Sequence, residues 1–374
     1  MSKIILSPYL RFVKTKRGEY GIYNFLTNAY QLWHLNNKTI YEYCLSARLI
    51  QDVINRFGEK TVSDLMKLNQ LIDTDEVWKK NYVTTLEIET GTVCNWRCSY
   101  CPVQYHPREA KFIDHGLFKE IIAEAVAYRH IKEVTLHSFN EPSLDKSFDF
   151  YLDQIYETNF KLLLFSNGSY MDDHKLERIG AFENRAELIL NFPSLNRDTF
   201  RTMTGTNTYD QSLYTLEHAL QKKLRVFVNV QGRGKQREAE ANFIKKRYPE
   251  AIVVTYDSFD RAGALDNEYF IDTKIEQPYM VGCYMVTRSV YVGVQGDLFM
   301  CCNDFHKENL EGNIKNGSFQ QILSGKLASS IRKKVWGGEK TDADFLCRHC
   351  SLMDEFLKKN IFLTYDQFVS TNSI

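Results

Sequence analysis

Three thiols crowd one short stretch, GTVCNWRCSYCPVQYHPR, which runs from Gly91 to Arg108 and holds Cys94, Cys98 and Cys101. Thiols gathered this closely in a reducing compartment are read as metal ligands or nucleophiles before they are read as disulfides. C-x3-C-x2-C offers three thiolates and no fourth. A cubane iron–sulfur cluster held by three cysteines keeps one iron open to an outside ligand. Zinc is the rival reading. It takes four protein ligands in a closed structural site, and His106 and His115 are the nearest candidates to complete one. Five further cysteines lie in the last quarter of the chain: Cys283, Cys301, Cys302, Cys347 and Cys350. Four of them, ending in C-x2-C, suffice for a fully ligated cluster or for a four-thiolate zinc loop. Cys302, next to Cys301, reads as filler beside a ligand, a spare ligand or a thiol hydrogen donor. Cys44 stands alone on an apolar helix face and reads as core.

These residues need elements to hold them. The chain has 374 residues, enough for two or three domains. Lys+Arg and Asp+Glu both total 47, so the net charge is near zero. That argues against a broad nucleic-acid surface, which must be cationic. The N-terminus lacks the apolar core and cleavage site of a signal peptide. No run reaches the roughly 18 apolar residues of a membrane span. The expectation is a cytoplasmic protein with no membrane or nucleic-acid partner.

The pattern changes near residue 80 and again near residue 275. The first segment has strand-like LRFVKT, YGIYNFL and AYQLWHL, with turns at Lys16-Arg17-Gly18 and Thr27-Asn28. A helix with Leu49, Ile50, Val53, Ile54 and Phe57 on one face follows Ser46 as N-cap. Another opens at Thr61 with Asp64. The middle segment alternates strands and helices. Its strands begin at Thr84, Glu133, Lys161, Ala186, Arg225 and Ala251, with helices from Gly116 and Ser212 among them. Repeated β-α units imply parallel strands and helical crossovers. Six of them predict an α/β fold, a partial (β/α)6 barrel. The three-cysteine loop then follows the first strand, at the end where barrels build their sites. The last segment has strand-like SVYVGV and LFMCC around a turn at Gln295-Gly296-Asp297, a helix over NIKNGSFQQILSGKLASSIRKKV, and the final cysteines on a loop.

With an aromatic residue, Tyr100, just before the third cysteine, the loop resembles the signature of radical S-adenosylmethionine (SAM) enzymes. The resemblance implies a [4Fe–4S] cluster on Cys94, Cys98 and Cys101, whose open iron binds the methionine end of SAM. Electron transfer then cleaves the sulfonium to a 5′-deoxyadenosyl radical that abstracts a substrate hydrogen. Tyr100 would pack near the adenine. HSFNEPSLD resembles the family's Gly-Gly-Glu-Pro turn, with Phe139 and Asn140 in place of the glycines and Glu141 retained to accept a bond from the methionine ammonium. Ser166 and Asn167 in FSNGSYM resemble the strand-end Thr-Asn-Gly near the cofactor. Ser194 and Asn196 are candidates for the ribose or substrate. Gln231 and Arg261 are strand-end candidates for cofactor or substrate.

The late cysteines resemble the shorter, twitch-type form of the SPASM extension, whose longer form carries seven cysteines and usually two clusters. This implies one auxiliary [4Fe–4S] cluster on Cys283, Cys301, Cys347 and Cys350. The start of the chain resembles the PqqD-like peptide recognition element, which adds a leader peptide to a sheet edge. The expected organisation is an N-terminal winged-helix-like α+β peptide (leader) recognition domain over 1–80, a radical SAM partial barrel over 81–275, and a small C-terminal iron–sulfur domain with tail over 276–374. The implied function is maturation of a ribosomally made precursor peptide by crosslinking, epimerisation or oxidation. A flavodoxin or ferredoxin would donate electrons. Two alternatives stand beside it: a radical SAM dehydrogenase of a small polyol or aminosugar, and a non-catalytic zinc-binding protein.

Overall fold

A computed structural model describes residues 2–14, 19–33, 35–232, 234–258, 260–265, 273–359 and 363–372. The Lys16-Arg17-Gly18 turn lies outside the described residues. The chain forms two compact units, one of residues 84–273 with 289–319, the other of 1–83 with 274–288 and 320–374.

The second of these opens with β1 (Lys3–Leu6), β2 (Leu10–Lys14), β3 (Tyr20–Asn24) and β4 (Ala29–Leu32). Short strands β5 (Arg48–Leu49) and β6 (Leu71–Asp73) flank β1 in one antiparallel sheet, and β2–β3–β4 form another. Asn28, with φ 56°, makes the β3–β4 turn expected at Thr27-Asn28. The helix over Ile50–Phe57 does not start from a Ser46 cap. Pairing of Leu49 with Lys3 holds Arg48–Leu49 extended, so the helix begins only after them. The next helix begins at Glu59, ahead of Thr61, because Gly58 at φ 86° separates the two. Phe12, Ile22, Trp33, Tyr41, Val53 and Leu65 form the core with Cys44, and Tyr365 and Phe368 from the far end of the chain complete it. Cys44 is fully buried, and burial pushes its thiol up to about 11. The single C-terminal helix expected over residues 313–335 is two, Phe319–Leu323 and Lys326–Val335, separated by Ser324 and Gly325.

In the other unit all six expected strands form: β7 (Thr85–Ile88), β8 (Glu133–Thr135), β9 (Lys161–Ser166), β10 (Ala186–Asn191), β11 (Val226–Gly232) and β12 (Ile252–Asp257). They lie parallel and in chain order. β13 (Ser289–Val292) joins parallel to β7 and leads into antiparallel β14 (Asp297–Phe299) and β15 (Leu310–Asn313). This is a mixed α/β fold with one large parallel sheet. Alternation along the strands separates two faces. Val134, Leu162, Leu164, Leu188, Val226, Val228 and Val230 are buried on one. The other carries charge and polarity, including Lys161, which pairs with Glu187 at 2.8 Å, and Arg225, which meets the same carboxylate at 3.1 Å.

Candidate active site

The cysteine loop leaves the C-terminal end of β7 and is clamped along its length. Thr92 N donates to Lys111 O at 3.0 Å. Trp96 is buried; its indole N–H donates to Thr208 Oγ1 at 2.9 Å and its ring meets Phe200 edge-on at 5.2 Å. Arg97 N and Ser99 N donate to Thr204 O and Met203 O, so the loop rests on the last turn of the helix Arg197–Thr204. Gly205 ends that helix at φ 65°, where a Cβ would stand 2.6 Å from Arg97 O. Only glycine permits both that backbone and that approach. Cys101 N closes on Cys98 O at 3.1 Å, and Pro102 turns the chain away into a 3-10 turn.

The loop thereby holds its three thiols as a coupled set. Burial pushes Cys94 up to about 12, helped by the nearby Glu141 and Cys101. Cys98 is driven well above its ordinary value by burial and by the charges of Cys101 and Cys94. Cys101 is raised by burial against the pull of Arg261, Arg108 and Arg97. Three thiolates this close and this dry repel one another, so a positively charged centre is needed to hold them ionised. Among the described residues no group of three or more Cys, His, Asp or Glu converges on a single-ion position. Three thiols carried on one short loop are the donor set that a cubane takes on three of its irons. Tyr100 is buried, and burial and then the charge of Cys98 raise its phenol well above the ordinary value.

The next strand ends interlock beside this loop. Glu141 N donates to Val93 O at 2.9 Å. The buried Glu141 carboxylate accepts from Ser143 N and Oγ, from Ser166 Oγ at 2.8 Å and from Asn167 N at 2.6 Å. Burial still raises its pKa. Glu141 thus fastens the end of β8 to the end of β9, and most of its hydrogen-bonding capacity is already used. Asn140 likewise ties its turn together, accepting from Ser138 N and donating to Thr90 Oγ1. Asn167 donates to Asn95 inside the cysteine loop at 2.8 Å and accepts from Ser169 N and Oγ. Ser166 Oγ also accepts from Gly168 N. The structure brings these four residues together with Cys94. Ser194 is fully buried and accepts from Asn196 N, while Asn196 caps the helix at Thr199 N. Their polar atoms serve the turn. Gln231 is half-buried on β11, opposite Tyr256 of β12. Arg261, at φ 52°, reaches Asn303 Oδ1 at 3.3 Å and lies close enough to Cys101 and His137 to bear on both.

Several residues of the site escaped the sequence reading. Glu89, just past β7, is fully buried and pairs with Arg108 at 2.7 Å and Lys307 at 2.9 Å. Arg108 also donates to Phe139 O at 3.0 Å and lies over the Phe305 ring. An acid closing the TTLEIE strand was a signal for Glu89; nothing local marks Lys307. His137 stacks on Phe165 at 4.3 Å, its Nδ1 buried with no hydrogen-bond partner among the described residues. Burial, then Arg261, pull its pKa down to about 4, so it is a neutral imidazole at pH 7. Its place was legible as the third member of the alternation Glu133, Thr135, His137.

Cys301 and Cys302 belong to the same unit as the loop, just past β14. Asp304 N donates to Cys301 O at 3.0 Å, and both cysteines bear on the buried Tyr291 phenol of β13. Cys283, Cys347 and Cys350 belong to the other unit. There Arg348, between the last two, donates to Ile275 O, Glu276 O and Thr341 O, at 2.9, 2.8 and 3.3 Å. It thereby docks the segment leading to Cys283 against the C-x2-C loop.

Residues 88–243 match the model of the radical SAM superfamily, and residues 283–351 match that of the SPASM iron–sulfur cluster-binding domain. The chain carries a radical SAM domain and a SPASM domain. Members of the radical SAM superfamily are enzymes, and the two domains imply a [4Fe–4S] cluster with SAM and auxiliary iron–sulfur binding. The proteins it resembles are diverse. The S-adenosyl-L-methionine-dependent 2-deoxy-scyllo-inosamine dehydrogenase of Niallia circulans is 23% identical over 278 residues, covering 71% of this chain and 92% of that one. The GTP 3′,8-cyclase of Haemophilus ducreyi is 28% identical over 177 residues, 45% of this chain and 49% of that one. Among solved structures, Streptococcus suis SuiB bound to its precursor peptide SuiA aligns over 94% of each chain, with a TM-score of 0.56 and 14% identity. No helix among the described residues is long and apolar enough to cross a membrane.

Proposed function

We propose that this chain is a radical SAM peptide maturase, acting on a ribosomally made precursor peptide. Cys94, Cys98 and Cys101 would hold the first cluster, which when loaded with SAM supplies the radical that takes a substrate hydrogen. Tyr100 lies beside Cys98. Glu141, Ser166, Asn167 and Asn140 position the loop against the neighbouring strand ends, with the remaining capacity of Glu141 left for the methionine ammonium. Gln231, Arg261 and His137 are the groups available to substrate. Cys283, Cys301, Cys347 and Cys350 would hold one auxiliary cluster, as their resemblance to the twitch-type extension implies, and an electron carrier of the flavodoxin or ferredoxin kind is the expected reductant.

The observation that carries the peptide reading is a sheet edge with no neighbouring strand among the described residues. Leu363 pairs with Phe12 and covers the β2 edge of the β2–β3–β4 sheet. At the β4 edge Tyr30 and Leu32 are about half exposed. Beside it lies a cavity of ≈ 420 Å³, lined by Leu32, Trp33, Tyr41, Leu65 and Gln70 among others. Such an edge suits an added peptide strand, with the cavity selecting its side chains. The fold likeness to SuiB, which has been seen with a precursor peptide, supports this, as does the resemblance of residues 1–80 to a PqqD-like element. Co-expression with small peptides encoded near the gene, read by mass spectrometry, tests it. A mass change that needs Cys98 is expected. Absence of any change in every candidate would reject the reading.

A second reading, dehydrogenation of a small polyol or aminosugar, is supported by the Niallia circulans relative. Incubation with 2-deoxy-scyllo-inosamine separates the two: a product two hydrogens lighter would favour it.

A further inference from the structure

The sheet β2–β3–β4 has a second face. Phe12 and Ile22 point into the unit's core, so their neighbours Arg11 and Tyr23, paired across the two strands, point the other way. There lies a cavity of ≈ 360 Å³, lined by Arg11, Tyr23, Phe25, Gly282, Trp336 and Phe356 among others. Nothing in the catalytic reading uses it.

Its chemistry is unusual in one respect. Arg11 is only 5% exposed. Its guanidinium donates to the carbonyls of Pro8 at 2.7 Å, of Leu10 at 2.8 Å and of Val281, and lies 4.9 Å from the Trp336 ring centre. All these partners are neutral, and among the described residues no carboxylate pairs with it. Burial alone acts on its pKa, pulling it down to about 10. A buried charge without a counter-charge is expensive. Trp336, also 5% exposed, has an indole N–H with no acceptor among the described residues. The wall is held tightly. Gly282 at φ 98° lets both side chains approach, since a Cβ there would stand 2.4 Å from the Trp336 ring and 2.8 Å from Arg11 Nη2. The same cavity therefore offers, in Arg11, a buried charged donor beside an aromatic lining.

We propose that this cavity binds a carboxylate carried on an apolar body, and that its occupant is an acidic residue beside an aromatic one in the precursor peptide. The inference rests on the peptide reading above. A peptide is favoured because one hairpin serves both cavities: Asn28, at the β3–β4 turn, lines this one, and Gln31 and Leu32 at the far end of β4 line the other. A strand laid on β4 would leave that edge at the turn, beside Asn28. Gly282 and Tyr284, both lining residues, flank Cys283, so an occupant would press on the segment carrying that cysteine.

The test uses full-length protein purified with its clusters, titrated calorimetrically. The probes are acetyl-Phe-Glu-Phe-amide, acetyl-Phe-Gln-Phe-amide and 3-phenylpropanoate. The Glu peptide should bind at least tenfold tighter than the Gln peptide, and Arg11→Gln should erase the difference. Since Arg11 also holds backbone carbonyls, Phe25→Ala is the second variant; it should weaken the Glu peptide at least fivefold. Equal affinity for the two peptides, or no effect of either variant, overturns the proposal. Binding of 3-phenylpropanoate alone overturns the peptide occupant. A precursor whose binding is lost in Leu32→Pro but unchanged in Arg11→Gln removes this inference and leaves the maturase reading standing. A precursor that neither binds nor is modified removes the maturase reading, while the probes still judge the cavity.

Discussion

At the scale of single residues, the thiols and one imidazole make separate predictions. Cys98 is the middle member of the three-cysteine set. Cys98→Ala should abolish formation of 5′-deoxyadenosine and lower iron from about eight to about four per chain, the loss of one cubane of two. Unaltered SAM cleavage would remove the ligand assignment. His137 tests the electrostatics. Its pKa in the folded state is lowered from 6.5 to about 4, by burial and then by Arg261. The unfolded chain therefore binds a proton that the native protein refuses as pH falls from 6.5 towards 4. Stability is full above pH 6.5 and should drop by about 2 kcal/mol between pH 7 and pH 5 from this group. Urea unfolding of His137→Phe should show a pH slope smaller by that amount. An unchanged slope would mean that the imidazole takes up its proton over the same pH range in the folded and the unfolded chain.

At the scale of elements, what was legible depended on how far the decisive partner lay along the chain. The barrel strands declared themselves as apolar runs such as KLLLFS and AELILN, because strands covered by helices bury one face completely. The cysteine loop was legible from spacing alone. β1, β5 and β6 were not, since each is two to four residues long and takes its structure from a partner elsewhere in sequence: Ile4 pairs with Arg48 on one side and Asp73 on the other. The Ser46 cap failed for the same reason. Glu141 and Asn140 were visible as a turn, but their work as fasteners between β8, β9 and the loop needed coordinates. Gly205 shows how an element end positions chemistry. Gly205→Ala would put a Cβ 2.6 Å from Arg97 O in a left-handed backbone. The expected cost is about 1–3 kcal/mol, with the loop displaced and iron incorporation lowered while the barrel strands persist. Iron assay beside circular dichroism checks it; full iron content would show that the clamp is dispensable.

At the scale of the whole molecule, the two ends of the chain share one core. Phe368 lies 5.7 Å from Phe12 and 5.3 Å from Tyr20, centre to centre, and is fully buried. Trp78 O accepts from Arg332, and Tyr9 meets Trp336 edge-on at 5.1 Å. Residues 1–83 are therefore not a detachable module. Deleting them to test peptide docking would strip Tyr365, Phe368 and Trp336 of their partners and unfold the rest of that unit. A point change separates docking from folding. Phe368→Ala removes a buried ring at a cost of about 3–5 kcal/mol. Because the cysteine loop belongs to the other compact unit, the loss should fall unevenly. Scanning calorimetry should show one transition moved down by several degrees and the other in place. Below the first transition, 5′-deoxyadenosine should form at the wild-type rate, whereas peptide product should fall once that transition is passed. Two transitions moving together would mean that the units unfold as one, and that loss of product in such variants says nothing about docking.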